Sequence, residues 1–416
     1  MSLFAIETLL DPYPAYKEKR DEEPVYFEET MNIHVVTRYD LVREAIRDTA
    51  TYSSQYDQFL AASQIIAFEQ AAPEVQQQLT AVNAKMVVTP PTMLTLDEPD
   101  HTRYRSLVNQ LFTASQVRLS EPTVQAVVDE NAERMFARDH AEYMREFAFP
   151  VPLKIIGDRL GIPEDERTFF DRAATDAASG LRLTPLSGEQ MIARAQTAVD
   201  LQQFLIGIVE ARRQTPQEDM ITILANAKLE GEDRLLTHGE CLSVLNQFLV
   251  AGHETTSSAF GWGMLLLCRN PAVQDEMRGN DKLIKTFVEE ILRLEAPVQG
   301  LPRLVTKNTE LGGFPLRAGE LVMLRYGAAN RDERQFEAPD SLDIHRAKAG
   351  AQLAFGAGVH FCIGAPLARQ ELNLGFKKLL ALGCDFRLDA NAPEPVAEAS
   401  FILRNLPELR IQYRAR

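Results

Sequence analysis

The run Phe355-Gly356-Ala357-Gly358-Val359-His360-Phe361-Cys362-Ile363-Gly364-Ala365 decides how the rest of the chain is read. It encloses one cysteine between glycines, and the Leu367-Ala368-Arg369-Gln370-Glu371-Leu372 stretch behind it is patterned as a helix. Glycines let backbone approach something flat and bulky, through dihedrals that a Cβ forbids. A cysteine at the start of a helix has its thiolate favoured by unpaired N–H groups and by the macrodipole. Most isolated cysteines are inert, buried hydrophobes. Glycines together with a helix start around Cys362 instead suit a thiolate bound to a metal cofactor.

Composition frames this reading. The chain has 416 residues, 45% hydrophobic and 25% charged, as in an ordinary globular protein. No Gly/Ser linker, repeat or low-complexity tract divides it, so residues 1–416 are expected to form one domain. A formal charge of −15 argues against nucleic acid as a partner, because phosphate binding needs clustered Lys and Arg. The start, Met1-Ser2-Leu3-Phe4-Ala5-Ile6-Glu7, has neither the basic onset of a signal peptide nor the apolar length of an anchor. A cytoplasmic protein with no membrane contact is expected. Cys241, Cys268, Cys362 and Cys384 lie far apart, which disfavours a disulfide framework or a structural zinc site.

Short strand-like runs open the chain at Pro24–Phe27 and Ile33–Val36, and an irregular apolar stretch follows at 80–98. Three- and four-residue apolar spacing predicts helices over Val124–Met135, Phe147–Leu160, Met191–Ala211 and Glu240–Cys268. Strand patterns return after Arg303, at Leu321–Leu324, and a last pair is expected near Phe401–Leu403 and Leu409–Ile411. The fold class expected is mainly α with small β-sheets.

Three further constellations carry chemistry. The long apolar helix contains Ala251-Gly252-His253-Glu254-Thr255-Thr256, where polar side chains are costly unless satisfied. Thr can bond back to the preceding turn and bend the helix, and Gly252 weakens it further. Ala251 and Thr255 are four apart and share a face, so a ligand has room beside a hydroxyl. Glu290 and Arg293 are three apart on another helix, a spacing usually found on surfaces. In Asp97-Glu98-Pro99-Asp100-His101-Thr102-Arg103-Tyr104-Arg105, His101 and Arg105 are four apart and could reach one anion together, whereas Arg103 reads as solvated.

The cysteine segment resembles the haem-binding loop of the cytochrome P450 family, Phe-Gly-x-Gly-x-His-x-Cys-x-Gly, with every defining position filled. The helix matches that family's Ala-Gly-x-Asp/Glu-Thr-Thr motif, and Glu290 and Arg293 match its Glu-x-x-Arg helix, in family order. The resemblance implies haem b (iron protoporphyrin IX) with Cys362 as axial thiolate, shielded by Phe355 and tuned by N–H groups up to Gly364. It implies that Thr255 hydrogen-bonds dioxygen, that Glu254 relays protons, and that Ala251 lies against the haem. His101, Arg105, Arg303 and His360 would hold the haem carboxylates, and Glu290 with Arg293 would fix the cysteine loop. Relatives often add an Arg to that pair where Ser341 stands here; His345 or Arg346 could substitute. Substrate contacts would come from Met86, Val88, Val250, Val298 and Phe401. The implied activity is monooxygenation of a small to medium, largely apolar organic substrate by O2, as hydroxylation or dealkylation. The chain shows no flavin domain, Fe–S cysteine cluster or dinucleotide turn, so electrons would come from a ferredoxin and an NAD(P)H-dependent ferredoxin reductase. Docking charge would come from Arg105, Arg346, Lys348 and Arg369. Rival readings are a partner-independent haem-thiolate peroxygenase or isomerase and a haem-based gas sensor.

Overall fold

Helices dominate the computed structural model, which describes residues 2–178 and 186–415. The predicted helices occur as Glu121–Met135, Pro150–Leu160, Gly188–Gln214 and His238–Arg269. The chain forms two units, each described by itself.

The first unit comprises Met1–Ser53, Ala114–Lys154 and His253–Arg416. Its five-stranded sheet runs in the order Val25–Glu28, Ile33–Val36, Leu321–Leu324, Leu301–Val305, Tyr52–Ser53. Ile33–Val36 and Leu321–Leu324 are parallel with His34 opposite Val322, and the other pairings are antiparallel. Val36, Val305, Val322 and Leu324 build a core with Val42 and Ile46 from the helix Tyr39–Arg47. Elsewhere in this unit the helix Ala365–Ala381 meets the His253–Arg269 part of the long helix through small residues. A Cβ on Gly263 would lie 2.4 Å from the Phe376 ring, and one on Gly375 would lie 2.4 Å from the Phe260 ring. Glycine inside a helix costs about 1 kcal/mol relative to Ala; here it admits the facing phenylalanines and the close packing they provide.

One expectation fails at element level. Phe401–Leu403 joins no sheet with the C-terminal strand: Arg410–Ala415 pairs with Cys384–Leu388 and His140–Glu142. Residues 401–404 bond instead to the segment beyond Glu290 and Arg293, through a single bridge between Val298 and Leu403 and through Gln299 N to Ile402 O at 2.7 Å.

The second unit comprises Ser54–Thr113 and Ile155–Gly252 and is helical. Its irregular apolar stretch is pinned from within. Gln202 accepts from Val87 N at 2.8 Å and donates to Val87 O at 3.2 Å, while Ser243 donates to Pro91 O. The helix His238–Arg269 runs through the boundary between Gly252 and His253.

Candidate active site

Gly356 and Gly358 take φ values of +68° and +69°, a region that side chains rarely adopt. These turns fold the loop so that Cys362 N donates to Phe355 O at 2.9 Å and Phe361 N to Gly358 O at 3.1 Å. Gly364 caps the helix Ala365–Ala381, and Ala365 N donates to Cys362 O at 3.3 Å. Cys362 therefore stands at a helix start, half-buried. The other three cysteines are buried: burial pushes the Cys241 thiol up to about 11, that of Cys268 up to about 12, and that of Cys384 upward. Of the four, Cys362 alone sits in surroundings suited to a thiolate.

The loop is held from below. Phe355 lies under the Arg369 guanidinium at 4.5 Å, and Arg369 reaches Glu289 at 2.5 and 3.1 Å. Glu289 also accepts from Gln352, whose own carbonyl receives Ala354 N at 2.6 Å. Asn330 Oδ1 receives Leu353 N at 2.6 Å, and Arg293 Nη1 donates to Asn330 O at 3.1 Å. Arg293 thus reaches the cysteine loop through one asparagine.

Glu290 and Arg293 are both fully buried, contrary to what their spacing alone suggests. Arg293 donates from Nε and Nη2 to the two Glu290 oxygens at 2.6 and 2.9 Å, and spends its other N–H groups on the carbonyls of Asn330, Pro339 and Ser341. The third partner is Arg346, whose Nε lies 3.0 Å from Glu290 Oε1. His345 faces Glu276 on the surface instead, and Ser341 contributes only its carbonyl. A buried pair needs such saturation, since each unmet hydrogen bond adds to the cost of desolvation.

On the long helix, Ala251 is exposed and Thr255 half-buried, so protein leaves their shared face uncovered. Val250 is half-buried. Glu254 is only 2% exposed, and its Oε2 accepts from Asn405 Nδ2 at 3.3 Å. Asn405 carries no sequence signal, because its partner lies on a distant segment of the chain.

Arg303 sits on the strand Leu301–Val305, buried, opposite Val322 and beside Tyr326. His360 is half-buried in the 3-10 turn Gly358–His360. In the second unit His101 is buried on the helix Asp100–Asn109, with Nδ1 3.3 Å from Glu98. Thr102 first, and then His101, hold the Glu98 carboxyl below the ordinary range. Arg105, one turn on, is half-buried; Arg103 pairs with Asp100 and Glu232 at the surface.

Among the substrate candidates, Val298 is half-buried and Met86 is exposed. Val88 is 90% exposed, so no protein surface encloses it. Phe401 is buried with its ring edge-on to Phe4 at 5.8 Å, a core contact.

This donor set fits a haem. Among the described residues no group of three or more His, Cys, Asp or Glu could hold a metal ion. A lone thiolate would suit an iron whose remaining ligands come from a macrocycle. Within the first unit, half-buried Thr255 suits the neighbourhood of such a group, and buried Arg303 suits its carboxylates.

The sequence profile of the family described as Cytochrome P450 matches residues 168–411. Cytochrome P450 107B1 of Saccharopolyspora erythraea is 34% identical over 97% of this chain and 95% of its own. The cytochrome P450 monooxygenase PikC of Streptomyces venezuelae is 33% identical over 97% of this chain and 91% of its own. Among solved structures, cytochrome P450 CYP109Q5 of Chondromyces apiculatus superposes with a TM-score of 0.85 at 29% identity, covering 100% of this chain and 98% of that one.

Proposed function

The chain belongs to the cytochrome P450 family, and we propose that Cys362, Thr255 and Glu254 carry the chemistry of that membership. It is a haem b monooxygenase that uses O2, a small organic substrate and electrons from a redox partner. When bound, haem b supplies the redox chemistry by which two electrons and two protons convert one oxygen atom to water while the other enters the substrate.

The rest is work for side chains. Cys362 Sγ would supply the thiolate that holds the iron, its loop held by Gly364, Phe355 and the Glu290–Arg293–Asn330 relay. Thr255 Oγ1 presents a hydrogen bond to the reacting oxygen, and Glu254 resupplies the proton, a role that needs an acid within hydrogen-bond reach. Arg303 and His360, with His101 and Arg105, would hold the haem carboxylates, and Ala251 would leave room for the group. Met86, Val88, Val250, Val298 and Phe401 are the substrate contacts, all apolar and so suited to a hydrophobic ligand. The electron donor is a ferredoxin with its NAD(P)H-dependent reductase, meeting the face of the Cys362 loop. Among the described residues no helix is long and apolar enough to cross a membrane; we place the protein in the cytoplasm as a single haem domain.

The half-buried Cys362 at its helix start carries this reading. Cys362→Ser abolishes the thiolate signature in the carbon-monoxide spectrum of the reduced protein; survival of that signature removes the ligand assignment. Rapid turnover with hydrogen peroxide alone, and none with ferredoxin and NAD(P)H, would replace the monooxygenase by a peroxygenase.

A further inference from the structure

We infer that Asn405 is the positioning residue of Glu254, an amide able to hold the acid in both of its protonation states. The inference rests on the proton role given to Glu254 above. Both side chains are nearly inaccessible, Glu254 2% exposed and Asn405 4%. They meet through Asn405 Nδ2 and Glu254 Oε2 at 3.3 Å, while Asn405 Oδ1 is buried with no hydrogen-bond partner among the described residues.

The segment that presents Asn405 is fastened to the same helix. Arg404 O accepts from Ser258 Oγ and from Trp262 Nε1, the latter at 2.8 Å, one and two turns beyond Glu254. Asn405 O accepts from Glu398 N at 3.0 Å, so the backbone on both sides of the amide is fixed. Arg404 itself is committed elsewhere: its guanidinium reaches Glu295 at 3.1 Å and Leu10 O at 2.8 Å, and lies 4.5 Å from the Trp262 ring. Asn405, and not its cationic neighbour, is the group turned toward the acid.

The chemistry of the partner matters. Arginine has five donors and no acceptor, and so favours the ionised form of a carboxyl group and cannot accept the O–H of the protonated one. An amide carries a donor on one side and an acceptor on the other. Its N–H meets the carboxylate; turned about its own axis, its carbonyl meets the protonated acid. A group that gives and regains a proton in each cycle needs this indifference. The unspent Asn405 Oδ1 is the second half of the device.

The test uses the haem-loaded full chain. Asn405→Leu and Asn405→Asp keep the side-chain shape and remove the N–H donor; two variants guard against one failing to fold. Both are expected to bind substrate as the parent does, judged by the ferric spin shift. Turnover should fall about tenfold, a part of the hundredfold or more that general acid catalysis contributes. Electrons should be diverted to hydrogen peroxide, with a larger solvent isotope effect. In a Glu254→Gln background the same substitutions should add nothing. Parental turnover, peroxide yield and isotope effect in both single variants would overturn the inference, as would a loss of thermal stability alone. If Glu254→Gln by itself leaves peroxide yield and isotope effect unchanged, the proton role of Glu254 fails and the inference falls with it.

Discussion

At Glu290, four donors converge on two carboxylate oxygens: Arg293 Nε and Nη2, Asp343 N and Arg346 Nε. Arg346 also donates to the carbonyl of Glu337 at 2.6 Å, so its planar fork ties a second segment to the buried pair. Removing it leaves the Glu290–Arg293 pair neutral and hydrogen-bonded, and the loss is that of a charge-assisted bond. Arg346→Ala should lower stability by about 1.5–3 kcal/mol, read as a lower denaturant midpoint at unchanged slope. Arg346→Lys should recover less than half, because an ammonium cannot reproduce the fork. An alanine variant within about 0.5 kcal/mol of the parent, the ordinary range for surface substitutions, would show that the contact contributes nothing in solution. The motif spacing located Glu290 and Arg293 but not this partner. Arg346 was one of two candidates, and choosing between it and His345 required knowing which residue turns inward.

The long helix starts on a device visible in its first residues. Thr237 N donates to Glu240 Oε2 at 2.7 Å, and Glu240 N donates to Thr237 Oγ1 at 3.2 Å, a reciprocal cap for His238–Arg269. Arg234 grips both Glu240 oxygens at 2.8 and 3.0 Å, and Tyr104 donates to one of them at 3.2 Å. The Arg234 contact first, and then Thr237, hold the Glu240 carboxyl at about 2, below its ordinary 4.5. A depressed carboxylate stabilises the fold above its ordinary value, and that stabilisation is lost as the pH falls toward the folded value. Arg234 is half exposed, so water screens the pairing and the cap sets the scale. Glu240→Gln should cost about 1 kcal/mol at neutral pH, and the two melting curves should converge as the pH is lowered from about 4.5 to about 2. A difference that persists undiminished at the acid end would assign the effect to packing. Elements of this kind are legible because their determinants are local: apolar period and cap lie within one stretch, and the helix ends fall within three residues of Glu240–Cys268. Phe401–Leu403 was not legible in the same way. An apolar run reads as a strand, yet its backbone partners, Val298 and Gln299, are chosen by tertiary placement. Asn405 shares that dependence, with its acid 151 residues away.

Summed over the chain, the charge is −15, and a field of that sign repels anionic partners at a distance. Local positive charge was expected to offset it on the face of the Cys362 loop. Two of the guanidinium groups that would supply it are otherwise engaged: Arg346 is turned inward onto the Glu290–Arg293 pair with its side chain only 8% exposed, and Arg369 is neutralised by Glu289 at 2.5 Å. What the loop itself offers is apolar, with Val359 41% and Phe361 40% exposed; Lys348 is exposed as well. Charged rims set on-rates and salt dependence, whereas buried apolar anchors set how long a partner stays. The electron donor should therefore depend on Val359 more than on ionic strength. Reduction by the donor protein should change by less than about tenfold across the salt range that screens surface charge. Val359→Glu should raise the donor concentration for half-maximal rate by about tenfold, the loss of about 1.4 kcal/mol. Reduction by a small chemical reductant, and the carbon-monoxide spectrum, should stay unchanged, because the substitution touches docking and not the thiolate. A rate that collapses with salt, together with a silent Val359→Glu, would instead show that charge docks the donor, and Lys348 would then be the residue to neutralise.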